Sequence, residues 1–400
     1  MKELILKKGK EKSLLRRHPW IYDTAVQRVE GAPEAGESVL VKDASGRVLA
    51  VAAYAPASGI RARCWRFDEG PVDDSLIRER VFKAARARDG LKERTSAVRL
   101  VFGEADGIPG LVADRYGDFI VTQFTSCGAE RFRGVIVKAL SELKGVKGIF
   151  DRSDAALRRR EGLEASTGVL FGEEPPERIE IVENGIIYGV DVREGHKTGF
   201  YIDQRENRRL AQEIASAFLK ETGRGMRALN CFCYTGGFSL ALLKGGASEV
   251  VSVDSSGPAL SEARQNARCN GFDGGAAKFE EADVFEYLRR MKEAGESFDL
   301  VILDPPKFAS NHHQVERAAR AYKDINLKGI GLIRPGGTLL TFSCSGAVSA
   351  ELFQKIVAGA VIDSGRGAWM LGRLGAGEDH PLMMTCPEGE YLKGERLKVL

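Results

Sequence analysis

Cys344 is the residue whose type and setting could do nucleophilic chemistry. It lies in the segment TFSCSG (341–346), between two serines at the end of an apolar run. A thiolate is a strong nucleophile, but a free cysteine has a pKa of about 8.5 and is mostly protonated at neutral pH. Most free cysteines are small buried residues, so packing is the alternative role. A nucleophilic role requires other reactive groups at the same place in the fold.

A glycine-rich turn and three aspartates indicate a nucleotide site. The run MRALNCF leads into CYTGG, and a helical pattern follows Gly236. Asp254, Asp283 and Asp304 stand at the ends of the next three apolar runs. A carboxylate after the second strand can accept hydrogen bonds from both ribose hydroxyls, and Asp283 could reach an adenine. The G-x-G-x-x-G fingerprint is missing, so pyrophosphate binding is not favoured, and an NAD-type or non-catalytic doubly wound domain is the alternative.

The elements that must position these residues form three predicted domains. Residues 1–72 alternate short apolar runs with turn signals, which is typical of a small β-barrel. Residues 73–192 begin with a helix capped by Asp73, Asp74 or Ser75 and continue as hairpins, which indicates a small α+β domain. Residues 193–400 carry near-continuous apolar strands that alternate with amphipathic helices, the pattern of a parallel sheet covered on both faces. The chain is therefore predicted to be a multidomain α/β protein.

Composition excludes several classes of protein. The chain has 400 residues, a net charge of +3 and 43% hydrophobic content, and it contains no 18-residue apolar stretch that could span a membrane. Its charged first residues argue against a signal peptide. Seven cysteines without paired spacing favour reduced thiols and a cytoplasmic location. Neither Cys231-x-Cys233 nor His312-His313 has a second ligand pair, so no metal site is expected.

The first 20 residues carry an excess of positive charge, with seven basic residues against two acids. Such a cluster can dock the phosphates of a nucleic acid, and a solvated face is an equally good interpretation. Arginines further along the chain could continue this face, although each alone is more often merely solvated: Arg61, Arg63, Arg66, Arg158, Arg159 and Arg160. The predicted RNA-binding residues of the first segment are Lys7, Lys8, Lys10, Arg16 and Arg17.

Several segments together resemble a known enzyme family. NCFCYTGG, VDSSGPALSEARQNARCNG, FDLVILDPPKFA, YKDINLKGI and TFSCSG are similar to the ribosomal RNA large-subunit cytosine-C5 methyltransferase family that joins a PUA domain to an S-adenosylmethionine fold. KKGKEKSLLRRHPWIYDTAV resembles the PUA opening of that family, and GHKTGFYIDQRENRRL resembles the segment that closes over the cofactor. DHP with EGEYLKG resembles its C-terminal hairpin, so the resemblance covers nearly the whole chain.

The resemblance implies a cofactor site and an RNA entrance. Asp254 would hold the ribose of S-adenosylmethionine, Asp283 would hold the adenine amine, and Asp304 would lie between the amino end of the cofactor and the target base. The turn residues implied to pack against the methionine part are Asn230, Tyr234, Thr235 and Gly236. The residues implied to line the cofactor or RNA entrance are Lys197, Thr198, Phe200, Asp203 and Arg205. Phe200 and Gln204 are predicted to bind the cofactor, and Lys197 and Arg205 are predicted to bind RNA together with Lys307.

The implied reaction explains why a thiol would be needed. C5 of cytosine becomes nucleophilic if a thiolate adds to C6, and loss of the C5 proton with expulsion of the thiol then restores the ring. Asp304, if protonated or bridged, could hydrogen-bond N3, and the Lys307 cation could increase the thiolate fraction of Cys344. Lys307 stands where better-known RNA cytosine-C5 methyltransferases have a second cysteine. The base that removes the C5 proton is therefore not identified by the sequence.

We predict a cytoplasmic S-adenosylmethionine-dependent methyltransferase that modifies C5 of a cytosine in large-subunit ribosomal RNA through a Cys344 adduct. Its C-terminal methyltransferase domain is expected to contain a seven-stranded sheet. A homodimer is an open alternative to a monomer. One rival is a methyltransferase acting on uracil C5 or on a base amine, although Lys307 is not the aromatic residue that typically follows the two prolines in amine-directed enzymes. The other rival is an RNA-binding protein that has lost catalysis, which would have no need of a thiol at position 344.

Overall fold

The computed structural model describes residues 2–195, 197–272, 274–309 and 311–400. His196, in the segment predicted to close over the cofactor, lies outside the described residues. The chain divides into two compact units. The first comprises Met1–Ile181, Val190–Ile202 and Glu378–Gly389, and the second comprises Val182–Gly189, Asp203–Gly377 and Glu390–Leu400. None of the described helices is both long enough and apolar enough to cross a membrane.

The first unit begins with a six-stranded sheet whose strands alternate side chains that face the core with side chains that face the surface. Along the segment SVLVK, Val39 and Val41 are buried and their neighbours are partly exposed, as expected for a strand with one face on the core. In the segment IRARCWR, the partly exposed Arg61 and Arg63 alternate with the buried Ala62 and Cys64. The strand order is β2-β6-β5-β4-β1-β3. The elements are β1 (Glu3–Leu6), α1 (Lys12–Leu15), β2 (Trp20–Tyr22), β3 (Val26–Glu30), β4 (Ser38–Lys42), β5 (Val48–Tyr54) and β6 (Ile60–Arg66).

A five-stranded sheet with helices follows in the same unit. Its first helix begins after Asp73, whose side chain accepts a hydrogen bond from Leu76 N, so one of the three caps proposed from the sequence is confirmed. The strand order is β11-β10-β9-β8-β7. The helices are α2 (Asp74–Ala87), α3 (Cys127–Arg131), α4 (Arg133–Ser141) and α5 (Ala155–Arg160). The strands are β7 (Ala97–Phe102), β8 (Leu111–Tyr116), β9 (Phe119–Phe124), β10 (Gly148–Arg152) and β11 (Thr167–Gly172).

A two-stranded hairpin is formed by β12 (Ile179–Glu183) and β13 (Ile186–Val190). Asn184 and Gly185 have φ values of 50° and 75°, the conformation that an Asn-Gly hairpin turn favours. This turn confirms the hairpin predicted at Asn184-Gly185.

The second unit contains a seven-stranded sheet covered by helices on both faces, as the sequence predicted. The strand order is β16-β15-β14-β17-β18-β20-β19, with β14 to β18 parallel and β20 antiparallel to both of its neighbours. Its strands are β14 (Arg227–Cys231), β15 (Glu249–Asp254), β16 (Ala277–Glu281), β17 (Phe298–Leu303), β18 (Ile333–Ser343), β19 (Ala368–Gly375) and β20 (Lys393–Val399). Its helices are α6 (Arg205–Thr222), α7 (Gly237–Lys244), α8 (Gly257–Cys269), α9 (Val284–Glu293), α10 (Val315–Gly331) and α11 (Ala350–Asp363).

The strand order of this sheet determines where a ligand can bind. The chain runs outward from β14 to β16 and then returns to the other side of β14 with β17. In open α/β sheets, ligands bind beyond the carboxyl ends of the strands at such a reversal. All six residues of β17 are buried, which fits a strand packed on both faces. The residues at the carboxyl ends of β14, β15, β17 and β18 are therefore placed to contact a ligand.

Candidate active site at the carboxyl edge of the parallel sheet

The glycine-rich turn after β14 has an unusual backbone. Phe232 and Tyr234 have φ values of 60° and 49°, and Gly236 has a φ of 83°. Positive φ costs free energy in residues other than glycine, and such strain concentrates at ligand sites. A Cβ at position 236 would also lie 3.0 Å from Leu240 Cδ1 and 3.3 Å from Ala263 Cβ. The conformation at position 236 therefore favours glycine, and a side chain there would also press against Leu240 and Ala263.

Asp254 ends β15 and holds this turn in place. Its Oδ2 accepts a hydrogen bond from Tyr234 N at 2.8 Å, and its Oδ1 accepts one from Ser256 N at 2.9 Å. A carboxylate has about four acceptor sites, so each oxygen can accept a further bond. The carboxylate is half-buried. Asp254 is thus oriented by the backbone and still able to accept bonds from a pair of hydroxyl groups.

Asn230 and Thr235 present polar atoms beside the same turn. Asn230 Nδ2 donates to Ser239 Oγ at 2.8 Å, and Ser252 Oγ donates to the same atom at 2.7 Å. Asn230 Oδ1 and Thr235 Oγ1 are buried and have no hydrogen-bond partner among the residues that the structure describes. Buried polar groups are normally satisfied, so these two oxygens indicate a place where a ligand would bind. Ser239 and Ser252, which the sequence analysis missed, fix the orientation of the Asn230 amide.

Asp283 lies two residues beyond β16 and caps α9. Its Oδ1 accepts a hydrogen bond from Glu286 N at 3.1 Å. The residue is exposed, so its other oxygen can reach a ligand. The predicted contact with an adenine amine stays a prediction.

Gln204 and Asp304 are brought together in the second unit. Gln204 Nε2 donates to Asp304 Oδ2 at 2.9 Å, and Asn207 Nδ2 donates to Gln204 Oε1. Gln204 is buried and Asp304, directly after β17, is half-buried. The nearby Asp203 accepts a hydrogen bond from Tyr391 at 2.6 Å. The oriented amide of Gln204 therefore fixes one oxygen of the Asp304 carboxylate at the edge of the sheet.

Phe200 and Thr198 belong to the first unit and are buried there. The hydroxyl of Tyr116 lies 2.8 Å from Thr198 Oγ1 and accepts a hydrogen bond from Phe200 N at 3.3 Å. Thr198 Oγ1 also donates to Asp114 Oδ2 at 2.5 Å. The roles predicted for Phe200 and Thr198 at a cofactor or RNA entrance stay predictions.

Cys344 follows β18 and lies against the loop that carries Asp304. Its Sγ is 3.8 Å from Pro305 O, and the residue is half-buried. The two flanking serines are both tied to one tyrosine, because Ser343 Oγ donates to Tyr322 OH at 2.9 Å and Ser345 Oγ lies 2.9 Å from the same hydroxyl. Ser345 Oγ also accepts from Ala309 N at 3.1 Å. The Cys344 loop and the DPPK loop are therefore joined directly.

The other cysteines have surroundings that disfavour reactivity. None of the seven cysteines, all of which belong to the described part of the chain, forms a disulfide bond. Burial raises the pKa of Cys64 to about 12, that of Cys127 to about 11 and that of Cys386 to about 12, and it also raises the pKa values of Cys231 and Cys233. A thiol that stays protonated is a poor nucleophile. Only Cys269, which is exposed, and Cys344, which is half-buried, escape deep burial.

Lys393 is a residue near Cys344 that the sequence analysis missed. It begins β20 and pairs in register with Ser343 of β18. Its side chain is 5% exposed, and Nζ donates to Ser345 O at 2.8 Å and to Val348 O at 2.6 Å. Lys307, which the sequence analysis placed near the thiol, is exposed. Lys393 lies in the segment EGEYLKG, but the sequence assigned it no chemical role, since only the antiparallel pairing of β20 with β18 brings it beside Cys344.

Most of the predicted RNA-binding residues are at the surface of the unit that contains them. Lys7 Nζ donates to Thr24 O at 2.9 Å, and Arg17 lies over the Phe67 ring at 5.2 Å. Lys197 has a φ of 56° and lies over the Tyr201 ring at 4.4 Å. Around α1, several exposed cations make no ion pair with any residue that the structure describes: Lys8, Lys10, Lys12 and Arg16. This group is called the α1 basic surface below.

Some of the basic residues that the sequence suggested for RNA binding are paired with carboxylates of the protein. Arg205 is 0% exposed in α6 and pairs with Glu206, so its guanidinium is not available to a phosphate in this structure. Arg63 makes two 2.8 Å hydrogen bonds to Glu161. Arg158 is buried and pairs with Glu130 at 2.7 Å, and Arg66 pairs with Asp68. These guanidinium groups are paired with carboxylates of the same unit, which the alternation of residue types along a strand or helix could not reveal.

One group of potential metal ligands occurs among the described residues, formed by His18, Cys386 and Glu388. His18 Nε2 lies 3.1 Å from Glu388 Oε2, while His18 Nδ1 accepts a hydrogen bond from Trp20 N at 3.2 Å. A neutral imidazole that accepts at Nδ1 carries its proton on Nε2, so Nε2 donates to the carboxylate and has no lone pair for a metal. The absence of a metal site stays a prediction.

Comparison with known families identifies the cofactor. Residues 113–361 match the S-adenosylmethionine-dependent methyltransferase family, and residues 4–67 match a PUA-like domain. The residues at the sheet edge fit S-adenosylmethionine, since Asp254 can accept bonds from its ribose and the buried oxygens of Asn230 and Thr235 can accept bonds from its donors. S-adenosylmethionine is therefore the cofactor, and the predicted fold of a PUA-like domain with a methyltransferase sheet is confirmed.

Relatives and solved structures support the same assignment. Ribosomal RNA large subunit methyltransferase I of Aeromonas hydrophila is 49% identical over 395 residues, 98% of each chain. Its counterpart in Klebsiella pneumoniae is 47% identical over 400 residues, 99% of this chain and 98% of that protein. The crystal structure of the methyltransferase SMU.776 complexed with SAH aligns over 100% of both chains with a TM-score of 0.85, although its 21% identity supports the fold alone. Because the methyltransferase match covers more than half of the sequence and these relatives align with nearly all of it, the chain belongs to the ribosomal RNA large subunit methyltransferase I family of S-adenosylmethionine-dependent methyltransferases.

Proposed function

We propose that this protein methylates C5 of a cytosine in large-subunit ribosomal RNA, using S-adenosylmethionine and a covalent bond between Cys344 Sγ and C6 of the base. Ribosomal RNA of the large subunit is the substrate that the names of its relatives state. The α1 basic surface in the PUA-like domain supports a nucleic-acid partner, because unpaired cations at a surface attract phosphates. The observation that carries the choice of chemistry is the 3.8 Å distance between Cys344 Sγ and Pro305 O, directly after Asp304.

The proposed reaction requires three events at the base. The Cys344 thiolate adds to C6, which forms the S–C6 bond and makes C5 an enamine carbon. When bound, S-adenosylmethionine supplies a methyl group activated by its sulfonium, and C5 takes that group. A base removes the C5 proton, and the electrons of the C5–H bond expel the thiolate and restore the double bond of the ring. Asp304 is assigned to N3 of the base, where a shared proton would stabilise the adduct.

The orientation of Asp304 supports that assignment. Gln204 Nε2 donates to Asp304 Oδ2, so the amide fixes one carboxylate oxygen, and we assign the other to the base. The residue that removes the C5 proton is not assigned. Lys307, where better-known RNA cytosine-C5 methyltransferases have a second cysteine, is exposed and carries a positive charge, and we assign it to a phosphate of the RNA together with Lys197.

Trapping with RNA that contains 5-fluorocytosine tests the proposal directly. Fluorine at C5 cannot leave as a cation, so the wild-type protein should remain bonded to the RNA, and mass spectrometry should locate the adduct on the peptide that contains Cys344. Cys344→Ser should abolish both trapping and methyl transfer, because a hydroxyl is too weakly acidic to add to C6. Cys269→Ser is the matched control, since its thiol is exposed and outside the site. An active Cys344→Ser variant would refute the adduct.

Analysis of the modified nucleoside separates the alternative functions. Methylation of uracil or of a base amine would appear as a different modified nucleoside in digested ribosomal RNA from cells with and without the protein. Cofactor binding without methyl transfer to any RNA would indicate a catalytically silent RNA-binding protein.

Three further features complete the proposal. The domain boundaries are proposed at residues 1–72, 73–192 and 193–400, and the boundaries can be tested by limited proteolysis. A cytoplasmic location follows from the proposed ribosomal substrate, and fractionation would test it. Light scattering would distinguish the proposed homodimer from a monomer.

A further inference from the structure

We propose that Lys393 is a positioning residue that holds the Cys344 loop and stabilises the Cys344 thiolate by its positive charge. This inference deepens the proposed function and rests on the nucleophilic role of Cys344. It assigns to a residue of the last strand a part of the reaction that the DPPK lysine, Lys307, was expected to perform.

The first support is the way that Lys393 binds the loop. Its ammonium donates to Ser345 O and Val348 O, the carbonyls of residues that follow Cys344. A protonated lysine has a further N–H donor beyond these two. Antiparallel pairing of Ser343 with Lys393 brings the base of the lysine side chain beside the residue preceding the cysteine. A single side chain therefore fixes both the conformation of the loop and the place of a positive charge.

The second support is electrostatic. The pKa of Lys393 is lowered, and burial is the largest cause. Negative charge on Glu390 or Cys344 acts in the opposite direction and raises the pKa of Lys393, whereas the cation of Lys307 lowers it further. The interaction is reciprocal, so the ammonium favours the charged thiolate form of Cys344. On the helix side, the hydroxyl of Tyr322 in α10 contacts the serines on both sides of Cys344. Burial raises the pKa of that phenol, and the Cys344 charge adds to the rise. Glu395, two residues along β20, is buried with a pKa raised to about 7 by desolvation, so it adds little negative charge below that pH.

Burial makes Lys393 a more effective cation than Lys307. The Lys393 side chain is 5% exposed, whereas Lys307 is exposed to solvent. Charges at the surface are screened by water and salt, and buried charges are screened much less. The carbonyl partners of Lys393 also hold its charge in one place. Lys307 can then serve the RNA contact assigned to it above.

The test measures the pKa of the Cys344 thiol without RNA. Purified full-length protein is alkylated briefly with iodoacetamide across a pH series, and the modified Cys344 peptide is quantified by mass spectrometry. In the wild type we expect an apparent pKa below the value of about 8.5 for a free thiol. In Lys393→Met, loss of the nearby positive charge should raise the apparent pKa by at least about one unit, which is roughly a tenfold loss of thiolate at neutral pH. Lys393→Arg keeps the charge and should retain most of the shift.

Two control variants distinguish the lysines. Lys398→Met removes an exposed lysine from the same strand and should leave the thiol pKa unchanged. Lys307→Met should change it by much less than Lys393→Met. If Lys307→Met produces the larger change, the cation assigned here is the wrong one. Thermal unfolding and S-adenosylmethionine affinity, measured for each variant, report whether the fold is intact.

The pH dependence of methyl transfer separates electrostatic from structural effects. Single-turnover methylation by Lys393→Met should lose rate at low pH and recover as pH rises, because the acidic limb moves with the thiol pKa. If the methylation rate of Lys393→Met is reduced by the same factor at every pH, Lys393 only supports the loop. That result would overturn the proposal that its charge stabilises the thiolate. If Lys393→Met does not fold, the wild-type titration still decides, since a thiol pKa at or above about 8.5 contradicts the inference. An active Cys344→Ser variant would instead refute the proposed function, whatever the thiol pKa.

Discussion

Substitution of Asp254 provides the most quantitative test of the cofactor site. Each carboxylate oxygen already accepts one backbone N–H, from Tyr234 at 2.8 Å and from Ser256 at 2.9 Å. The remaining acceptor sites are the ones assigned to the ribose hydroxyls. A hydrogen bond to a charged group contributes about 1.5–3 kcal/mol. Loss of one such bond in Asp254→Ala should therefore weaken S-adenosylmethionine binding roughly ten- to hundredfold.

The backbone contacts of Asp254 predict that asparagine will not rescue the site. An amide at position 254 would turn its NH₂ group toward either Tyr234 N or Ser256 N, and two donors would then face each other. Asp254→Asn should consequently lose about as much affinity as Asp254→Ala. If ribose binding needed only one acceptor oxygen and the turn were rigid without Asp254, asparagine would preserve most of the affinity.

Isothermal titration calorimetry with S-adenosylmethionine and with its demethylated product measures these changes. Asp363→Ala is the control, because Asp363 forms an exposed ion pair with Lys323 and is not assigned to the site. Thermal unfolding without ligand checks that the loss is not global. An Asp254→Ala protein that binds S-adenosylmethionine within twofold of the wild type would remove Asp254 from the cofactor site.

Three other outcomes are expected. Arg208 donates hydrogen bonds of 2.6 and 2.8 Å to the two carboxylate oxygens of Glu183. Arg208→Met would leave that carboxylate buried without its partner, so the free energy of unfolding measured by urea denaturation should fall by about 3–5 kcal/mol. Burial raises the pKa of Glu395 from 4.5 to about 7. Between these two pH values the folded state binds more protons than the unfolded state, so the free energy of unfolding should fall as the pH rises from 4.5 to about 7. Glu395→Gln should remove that slope and be more stable than the wild type at pH 8, and an unchanged slope in denaturation at several pH values would contradict the assignment. Charge reversal of the α1 basic surface replaces four residues by glutamate: Lys8, Lys10, Lys12 and Arg16. The slope of log RNA affinity against log salt concentration should fall in magnitude by about 0.7–0.9 for each phosphate that the surface no longer binds, while S-adenosylmethionine affinity should not change. An unchanged slope would exclude this surface from RNA binding.

The sequence by itself determined the architecture of the methyltransferase sheet and the edge at which its chemistry lies. Near-continuous apolar runs predicted buried parallel strands, and β17 is buried along its whole length. Because parallel strands carry their carboxyl ends to one edge, residues as distant in sequence as Asp254, Asp304 and Cys344 could be assigned to the same edge of the sheet. Gly236 could be recognised as well, since a positive φ and close packing are properties that a glycine in a tight turn signals locally.

The tertiary structure alone decided which charged groups are neutralised and which lie beside the thiol. Arg63 and Arg158 alternate or cluster like surface cations, but their carboxylate partners, Glu161 and Glu130, come from other elements. Lys393 reads in sequence as an ordinary strand lysine. It is buried against the Cys344 loop only because β20 enters the sheet antiparallel to β18 with Lys393 opposite Ser343. Such pairings depend on register between distant segments, and local periodicity carries no information about that register.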